Sequence, residues 1–368
     1  MEIVSYSPKY FAPLIAFLRK NWAENHTVYD RQLFDWQYGG PTEESSASVL
    51  LLDDSGDIRG FLGVVHYPFL LYDKSIEGAG LAIWVVDQDI KNSGAGLLIR
   101  KAVEDNFDMV YTIGANRSVV HYYQRRHYTY HDSLYRYVIP LDTKGYQLFL
   151  GEDCESREIT DWLKAICFAE SAIPLAEFDA AGLARIYADA TAPHFSLRPQ
   201  KDALFWEWRY QNSKGFSYLS YQTGGGAIVF RIECVHSPSD PRRHGAKCLR
   251  IIEILPTTGK VWDGNADEAL SGAILSVLAW AKEQGCVLAD FQISNARLSH
   301  VLEGVGFRMQ QGKGVTNLVR LFSPYRVGVP PLNFMYRIYS EGRFEDIGRE
   351  DTYFLKSDVD MDRPNYLP

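Results

Sequence analysis

Apolar and polar positions in the first 140 residues fall into two periods, one of strands and one of helices. Residues 3–6 read as a short strand, and Phe11, Leu14, Ile15 and Leu18 then recur at helical spacing. Asp30 is placed to cap a second helix carrying Leu33, Phe34 and Trp36, which stops at Gly39-Gly40-Pro41. Residues 48–53 and 58–67 read as strands joined by an Asp54-Ser55-Gly56 turn. A strand over 78–86 feeds a small glycine-bearing loop. Leu97, Leu98, Ala102 and Val103 carry a helix to about Asp105, and 109–113 is a further strand. Strands and helices in this order predict a mixed α/β (α+β) sheet fold.

The pattern then restarts. After a connecting stretch with one helix over 161–172, a strand over 175–178 and a helix over 181–189 follow. Phe205-Trp206-Glu207-Trp208-Arg209-Tyr210 repeats Leu33-Phe34-Asp35-Trp36-Gln37-Tyr38 at an offset of 172, and 295–307 repeats the segment beginning at Asn116 at an offset of 179. Two matches at nearly constant offset predict an internal duplication. The expected layout is a first domain over 1–145, a connection over 146–172, a second domain over 173–340 and an acidic C-terminal tail over 341–368.

The chemistry concentrates in the loop after the 78–86 strand, Asp87-Gln88-Asp89-Ile90-Lys91-Asn92-Ser93-Gly94-Ala95-Gly96. A strand, a glycine turn and a helix N-terminus make an anion site, because the first helical N–H groups lack partners and the dipole adds positive potential. Gly94 and Gly96 would let a phosphate approach the backbone. This is neither a Walker A loop, lacking Gly-Lys-Ser/Thr, nor a full G-x-G-x-x-G, since position 99 is Ile. A lone G-A-G reads equally well as a plain turn. The second half has no such loop: its corresponding strand, 249–256, leads into Thr257-Thr258-Gly259-Lys260-Val261-Trp262-Asp263-Gly264-Asn265.

The spacing of Val86, Lys91, Gly94 and Gly96 resembles the acyl-CoA pyrophosphate loop of the GNAT-type N-acetyltransferases, with Lys91 where that family has Gln or Arg. Asn116, Val119 and Tyr123 resemble the family's segment after its fifth strand, although His127 stands where a Gly is usual. The resemblance implies two tandem GNAT-like acyl-CoA N-acyltransferase domains, the second degenerate, with acetyl-CoA or another acyl-CoA as co-substrate and no metal. It implies that Trp84, Val85, Val86, Lys91, Asn92, Ser93, Gly94, Ala95, Gly96 and Asn116 hold the CoA. A backbone N–H near Val85 or Val86 would polarise the thioester carbonyl, and Tyr123 would protonate the departing thiolate, with Tyr122 one register away. Candidates for the base are Glu77, His66 and Asp87 from the first half, Glu253 from an otherwise apolar strand of the second, and His121. Trp36, His66, Trp208 and Arg209 are candidates for the acceptor side, and each also reads as an ordinary packing or surface residue. At the position of Tyr123 the second copy has Leu302, so one CoA site is expected. The ending around Lys356-Ser357-Asp358-Val359-Asp360-Met361-Asp362-Arg363-Pro364 resembles that of GNAT-like proteins of bacterial surface-polysaccharide clusters. That implies an amino sugar, free or nucleotide-linked, as the small-molecule amine acceptor. Its alternating aspartates lack the Gly and Glu of an EF-hand, and they read as a solvated tail or as a lid.

Composition narrows this further. A net charge of -8 argues against a nucleic-acid partner. No apolar run reaches the roughly 18 residues of a membrane helix, and Met1-Glu2-Ile3-Val4 does not resemble the start of a signal peptide. Five dispersed cysteines without C-x-x-C give neither a disulfide framework nor a zinc site. A cytoplasmic protein is expected, with its oligomeric state open. Two rivals remain: a Fem-type aminoacyl transferase, disfavoured by the acidic balance, and a non-catalytic GNAT-fold binding module.

Overall fold

A computed structural model describes residues 1–39, 46–150, 155–169 and 178–363. The first half runs β1 (Glu2–Ser5), α1 (Phe11–Asn21), α2 (Arg31–Gly39), β2 (Val49–Leu52), β3 (Ile58–Leu71), β4 (Lys74–Val86), α3 (Ala95–Glu104), β5 (Met109–Ile113), α4 (Val120–Gln124), β6 (Thr129–His131) and β7 (Tyr135–Pro140). Helices α5 (Thr143–Gln147) and α6 (Ser156–Lys164) connect the halves. The second half contributes α7 (Ala180–Thr191), β8 (Leu197–Pro199), α8 (Ala203–Trp206), β9 (Leu219–Thr223), β10 (Gly226–Cys234), β11 (Lys247–Pro256), α9 (Glu268–Glu283), β12 (Cys286–Ile293), α10 (Ser299–Gly304) and β13 (Arg308–Met309). A small hairpin, β14 (Leu321–Phe322) and β15 (Tyr325–Arg326), precedes β16 (Phe334–Ser340) and β17 (Arg343–Glu345). Each predicted strand of the first half overlaps an observed one, although 3–6 and 48–53 overrun β1 and β2 by a residue at their ends. The connecting helix begins earlier than expected, at Ser156, and ends at Lys164. Gly40 and Pro41, the rest of the 161–172 helix beyond 169, and most of the 175–178 strand lie outside the described residues.

These elements form two mixed sheets of the same plan. The first has the order β1-β2-β3-β4-β5-β16-β17, with β6 also on β16 and β8 on β3; the second has the order β13-β7-β12-β11-β10-β9. In each, a parallel pair (β4·β5, β11·β12) starts together and then parts, after Gly80↔Tyr111 and Ile251↔Phe291. In each, the pairing with the antiparallel neighbour of the splayed strand shifts register where the gap begins, between Leu62 and Val64 and between Val229 and Phe230. Extra residues on the splayed strand increase its twist, which turns its end away from its partner.

The sheets do not divide where a linear reading cuts the chain. β7, from the first half, pairs with β12 in the second sheet, and β16, from near the C-terminus, pairs with β5 in the first. Each half lends its last long strand to the other. Phe334, Met335, Tyr336 and Ile338 of β16, and Tyr137, Val138 and Ile139 of β7, are all buried. Without its loan, each sheet would expose a row of unpaired backbone groups along β5 or β12.

The α2 and α8 segments that the sequence repeat aligns meet face to face. Trp36 Nε1 donates to the Trp208 carbonyl at 2.7 Å, and Trp208 Nε1 donates to the Trp36 carbonyl at 2.8 Å. Equivalent residues exchanging equivalent bonds is the signature of a pseudo-twofold axis.

The tail is the main departure from expectation. Asp358, Asp360 and Asp362 are buried, not solvated, and Lys356 and Arg363 are buried with them. Ser294 N donates to the Phe354 carbonyl and Phe354 N to Ser294 Oγ, both at 2.9 Å, while Tyr353 OH donates to Glu253 at 2.7 Å. The tail therefore lies across the gap between β11 and β12. It continues to the first sheet, where the Asp358 carbonyl accepts from both Tyr67 and Tyr111.

His131 reports on the strand exchange. Its ring stacks on Phe334 of β16 at 4.4 Å and its buried Nε2 has no hydrogen-bond partner among the described residues. Burial, with Arg349 nearby, lowers its pKa to about 4 from 6.5. The folded ring is thus neutral where the unfolded ring would take up a proton, so its contribution is complete above about pH 6.5 and is lost as pH falls toward 4. His131→Phe should flatten that acid limb in urea melts recorded from pH 7 to 4; an unchanged limb would show that this histidine does not set it.

Candidate functional site

The end of β4 and the start of α3 hold the candidate loop. Beyond Gly80, β4 has no pairing with β5, although Thr112 Oγ1 still reaches the Leu81 carbonyl at 3.0 Å. Val85 and Val86 therefore stand in a stretch bonded to β3 on one side and facing the gap on the other. Asp87 closes the strand and is nearly buried. Its carboxylate accepts from Asp89 N at 3.1 Å and lies 3.4 Å from Arg59, so it caps a turn and is not available as a base. Lys91, Asn92 and Ser93 are exposed.

Gly94 is the N-cap of α3 at φ +85°, a conformation that disfavours any side chain, and the helix has no side-chain cap and no acid in its first turn. Ser93 Oγ serves Ala95 N at 3.3 Å, but Gly94 N and Gly96 N find no acceptor among the described residues. A Cβ on Gly96 would lie 3.2 Å from Trp84 and 3.3 Å from Val86, so glycine there is what seats α3 against β4. Unsatisfied N–H groups, a helix dipole and a bare approach fit an oxyanion ligand such as a phosphate.

The second half provides the contrast. Its α9 begins at Asp267, whose carboxylate accepts from Leu270 N at 2.9 Å, and Glu268 adds a second negative charge in the first turn. A phosphate there would meet a capped, acidic helix end. The adjacent gap is already filled by the tail.

Asn116, exposed at the end of β5, accepts from Ser118 N at 3.0 Å; its counterpart Asn295 accepts from Arg297 N at 3.1 Å, the same turn repeated. Tyr123 on α4 is only 3% exposed, with Tyr128 against it in an edge contact at 4.9 Å and the Arg100 guanidinium 4.7 Å from its ring. Burial raises its pKa to about 12, with Arg100 opposing, so the phenol keeps its proton at neutral pH. Tyr122 is partly exposed and covers the same guanidinium at 4.1 Å; His121 is exposed.

The remaining candidates do not converge on the loop. His66 Nε2 and Glu77 Oε2 form a pair at 2.6 Å, but Glu77 lies nine β4 residues before Val86, about 30 Å along the strand at roughly 3.3 Å per residue. Glu253 is fully buried, bound by Lys201, Tyr210 and Tyr353, and burial pushes its pKa up. It anchors the tail, since Lys201 also reaches Asp358 at 2.9 Å. Trp36 and Trp208 are the seam pair. Arg209 is 1% exposed and donates to the carbonyls of Ser357 and Val359. A concavity of about 850 Å³ lies on the second half, near Trp162, Gly306 and Arg308, and no candidate residue lines it.

Two features escaped the sequence reading. Arg100 is fully buried on α3, and Glu104, one turn on, gathers Arg100, Arg126 and Arg337. The signal was an opposite-charge pair at i, i+4, each member one residue after a buried apolar position, Ile99 and Val103. No described group of three or more His, Cys, Asp or Glu residues is arranged to hold a metal ion, and no described helix is long and apolar enough to cross a membrane.

Solved structures share this arrangement. A GCN5-related N-acetyltransferase from Anabaena variabilis matches with a TM-score of 0.56 at 12% identity, over 92% of this chain and 72% of that one. Saccharomyces cerevisiae N-myristoyltransferase, solved with myristoyl-CoA and inhibitors, matches with a TM-score of 0.57, over 98% of this chain and 86% of that one. The fold is that of the GNAT acyltransferases. A third GNAT-fold match, a GCN5-related N-acetyltransferase from Kribbella flavida, gives 0.55 at 12% identity, over 92% and 71%. No protein-family model and no curated protein matches the sequence.

Lys201→Met would leave the Glu253 and Asp358 carboxylates buried with no cation between them. A loss of about 3–5 kcal/mol in urea unfolding is expected. A loss below about 1 kcal/mol would contradict the anchoring role given to this cluster.

Proposed function

We propose that this chain is an acyl-CoA-dependent N-acyltransferase with a single CoA site, at residues 91–96 of the first half. The observation that carries the reading is the contrast between the two helix ends: bare at Gly94–Gly96, capped and acidic at Asp267. The fold likeness to acyltransferases, one of them solved with myristoyl-CoA, supports it.

In this reading the backbone N–H groups of the loop hold the CoA diphosphate, Asn116 steadies the pantetheine arm, and the free edge of β4 at Val85 and Val86 polarises the thioester carbonyl. The acceptor amine, uncharged, adds to the carbonyl carbon. The C–S bond then breaks, and the Tyr123 phenol gives its proton to the thiolate. The amine proton leaves to solvent, and the phenolate regains its own from solvent. The acyl group is acetyl and the acceptor an amino sugar, free or nucleotide-linked, on the resemblance of the C-terminal segment. The four described cysteines are all free, which suits a reducing compartment such as the cytoplasm.

Acetyl-CoA at about 100 times its Kd should stabilise the protein by roughly 2.7 kcal/mol, and Gly96→Val, which forces α3 off β4, should abolish that gain. No stabilisation of the wild-type protein by any acyl-CoA would defeat the reading. Tyr123→Phe should lower kcat by about 10²-fold or more while leaving acyl-CoA affinity within about twofold. Unchanged turnover would remove Tyr123 as the acid.

A further inference from the structure

Arg100 is a costly residue for its position. Its guanidinium is fully buried, with ring centroids of Tyr122, Tyr123, Tyr128 and Trp84 at 4.1, 4.7, 5.7 and 5.9 Å. A helical side chain leans toward the helix N-terminus, so Arg100 points back along α3 toward the loop. Its Nε lies 2.9 Å from Glu104 Oε1, the Tyr123 hydroxyl is near the guanidinium, and Nη1 and Nη2 have no well-formed hydrogen bond among the described residues. Charged donors buried without partners cost far more than a neutral hydrogen bond returns.

Neutralising Glu104 does not account for Arg100. One oxygen of Glu104 already takes Arg126 at 2.7 Å and Arg337 at 3.1 Å, and the other also takes Tyr128 OH at 2.8 Å. Three arginines surround one carboxylate, leaving a local surplus of positive charge. Two more buried donors nearby, Trp84 Nε1 and Arg337 Nε, also have no partner among the described residues. Trp84 Nε1 is 3.4 Å from the point where Gly96 would carry a Cβ, which ties this cluster to the bare end of α3. Trp84 and Tyr122 are partly exposed, so two of the four rings around the guanidinium reach the surface.

We propose that Arg100, assisted by Trp84 Nε1, is a ligand-binding residue of the acyl-CoA groove, and that its free fork takes an oxyanion of the acyl-CoA. The inference rests on the acyl-CoA reading and adds a side-chain anion site to the backbone one. Aromatic rings surround the guanidinium, and its N–H fork has the geometry for bidentate recognition of a phosphate or carboxylate. The oxyanion has two sources, the CoA diphosphate or a carboxylate at the end of the acyl chain.

Calorimetric titration of the full-length wild-type protein and Arg100→Met with acetyl-CoA, succinyl-CoA and inorganic pyrophosphate separates them. A loss of about tenfold or more for all three ligands assigns the fork to the diphosphate. A comparable loss for succinyl-CoA alone assigns it to an acyl carboxylate. Affinities within twofold of wild type for all three, in a variant with an unchanged urea midpoint, overturn the proposal. If Arg100→Met does not fold, Trp84→Phe, which keeps a smaller aromatic ring and removes the N–H, is the second variant; a loss of about threefold supports the site and unchanged affinity overturns it. Failure of the wild-type protein to bind any of the three ligands overturns the acyl-CoA reading itself, and this inference with it.

Discussion

Two strand edges that neither half can cover alone hold this molecule together. β5 needs β16 and β12 needs β7, and each comes from the other half of the chain. The constraint makes the halves one cooperative unit and fixes their relative placement about the Trp36–Trp208 pair. It also brings the C-terminal segment back through the centre of the molecule, where it occupies the second sheet's gap. The division of labour between the halves follows from that: one sheet keeps an open splay beside a bare helix end, and the other is filled from within.

The tail is held by charge. Arg136, Asp290, Arg250, Glu233, Arg231, Asp362 and Lys356 form an alternating buried chain of ion pairs from β7 to the tail. Flanking cations hold the carboxyls of Asp290 and Asp362 well below the usual range despite burial. Such a chain adds little net stability compared with an apolar core, because desolvation offsets most of the attraction. Its effect is to allow few alternative paths, since any shift of the tail would strand a buried charge.

The fold was readable in the sequence wherever the signal was local. Periodicity located five first-half strands, and Trp36 and Trp208, aligned by the repeat in the sequence, exchange reciprocal hydrogen bonds in the structure. The β4–loop–α3 unit was legible for the same reason: strand, glycines and helix are consecutive. What periodicity does not carry is partnership. Nothing in a strand's pattern names the sheet it joins, so no local signal assigns β7 to the second sheet or β16 to the first. Asp358 and Asp362 read as solvated because Lys201, Arg231 and Tyr218, which bind them, lie more than 130 residues away in the chain, and Asp360 pairs with Arg363, buried beside it. Glu253 was noticed as a charge in an apolar strand, and the structure gives it a tail to anchor. Arg100 was hidden by the same effect in reverse, an ordinary i, i+4 salt bridge whose surplus appears only when Arg126 and Arg337 join it.

The central claim is that only the first half binds acyl-CoA. Amide hydrogen exchange with and without saturating acetyl-CoA tests it most directly. Protection confined to residues 85–104 and 116–128, with none gained over 257–270, is the predicted result. Protection over 257–270, or no change over 85–104, would contradict the account.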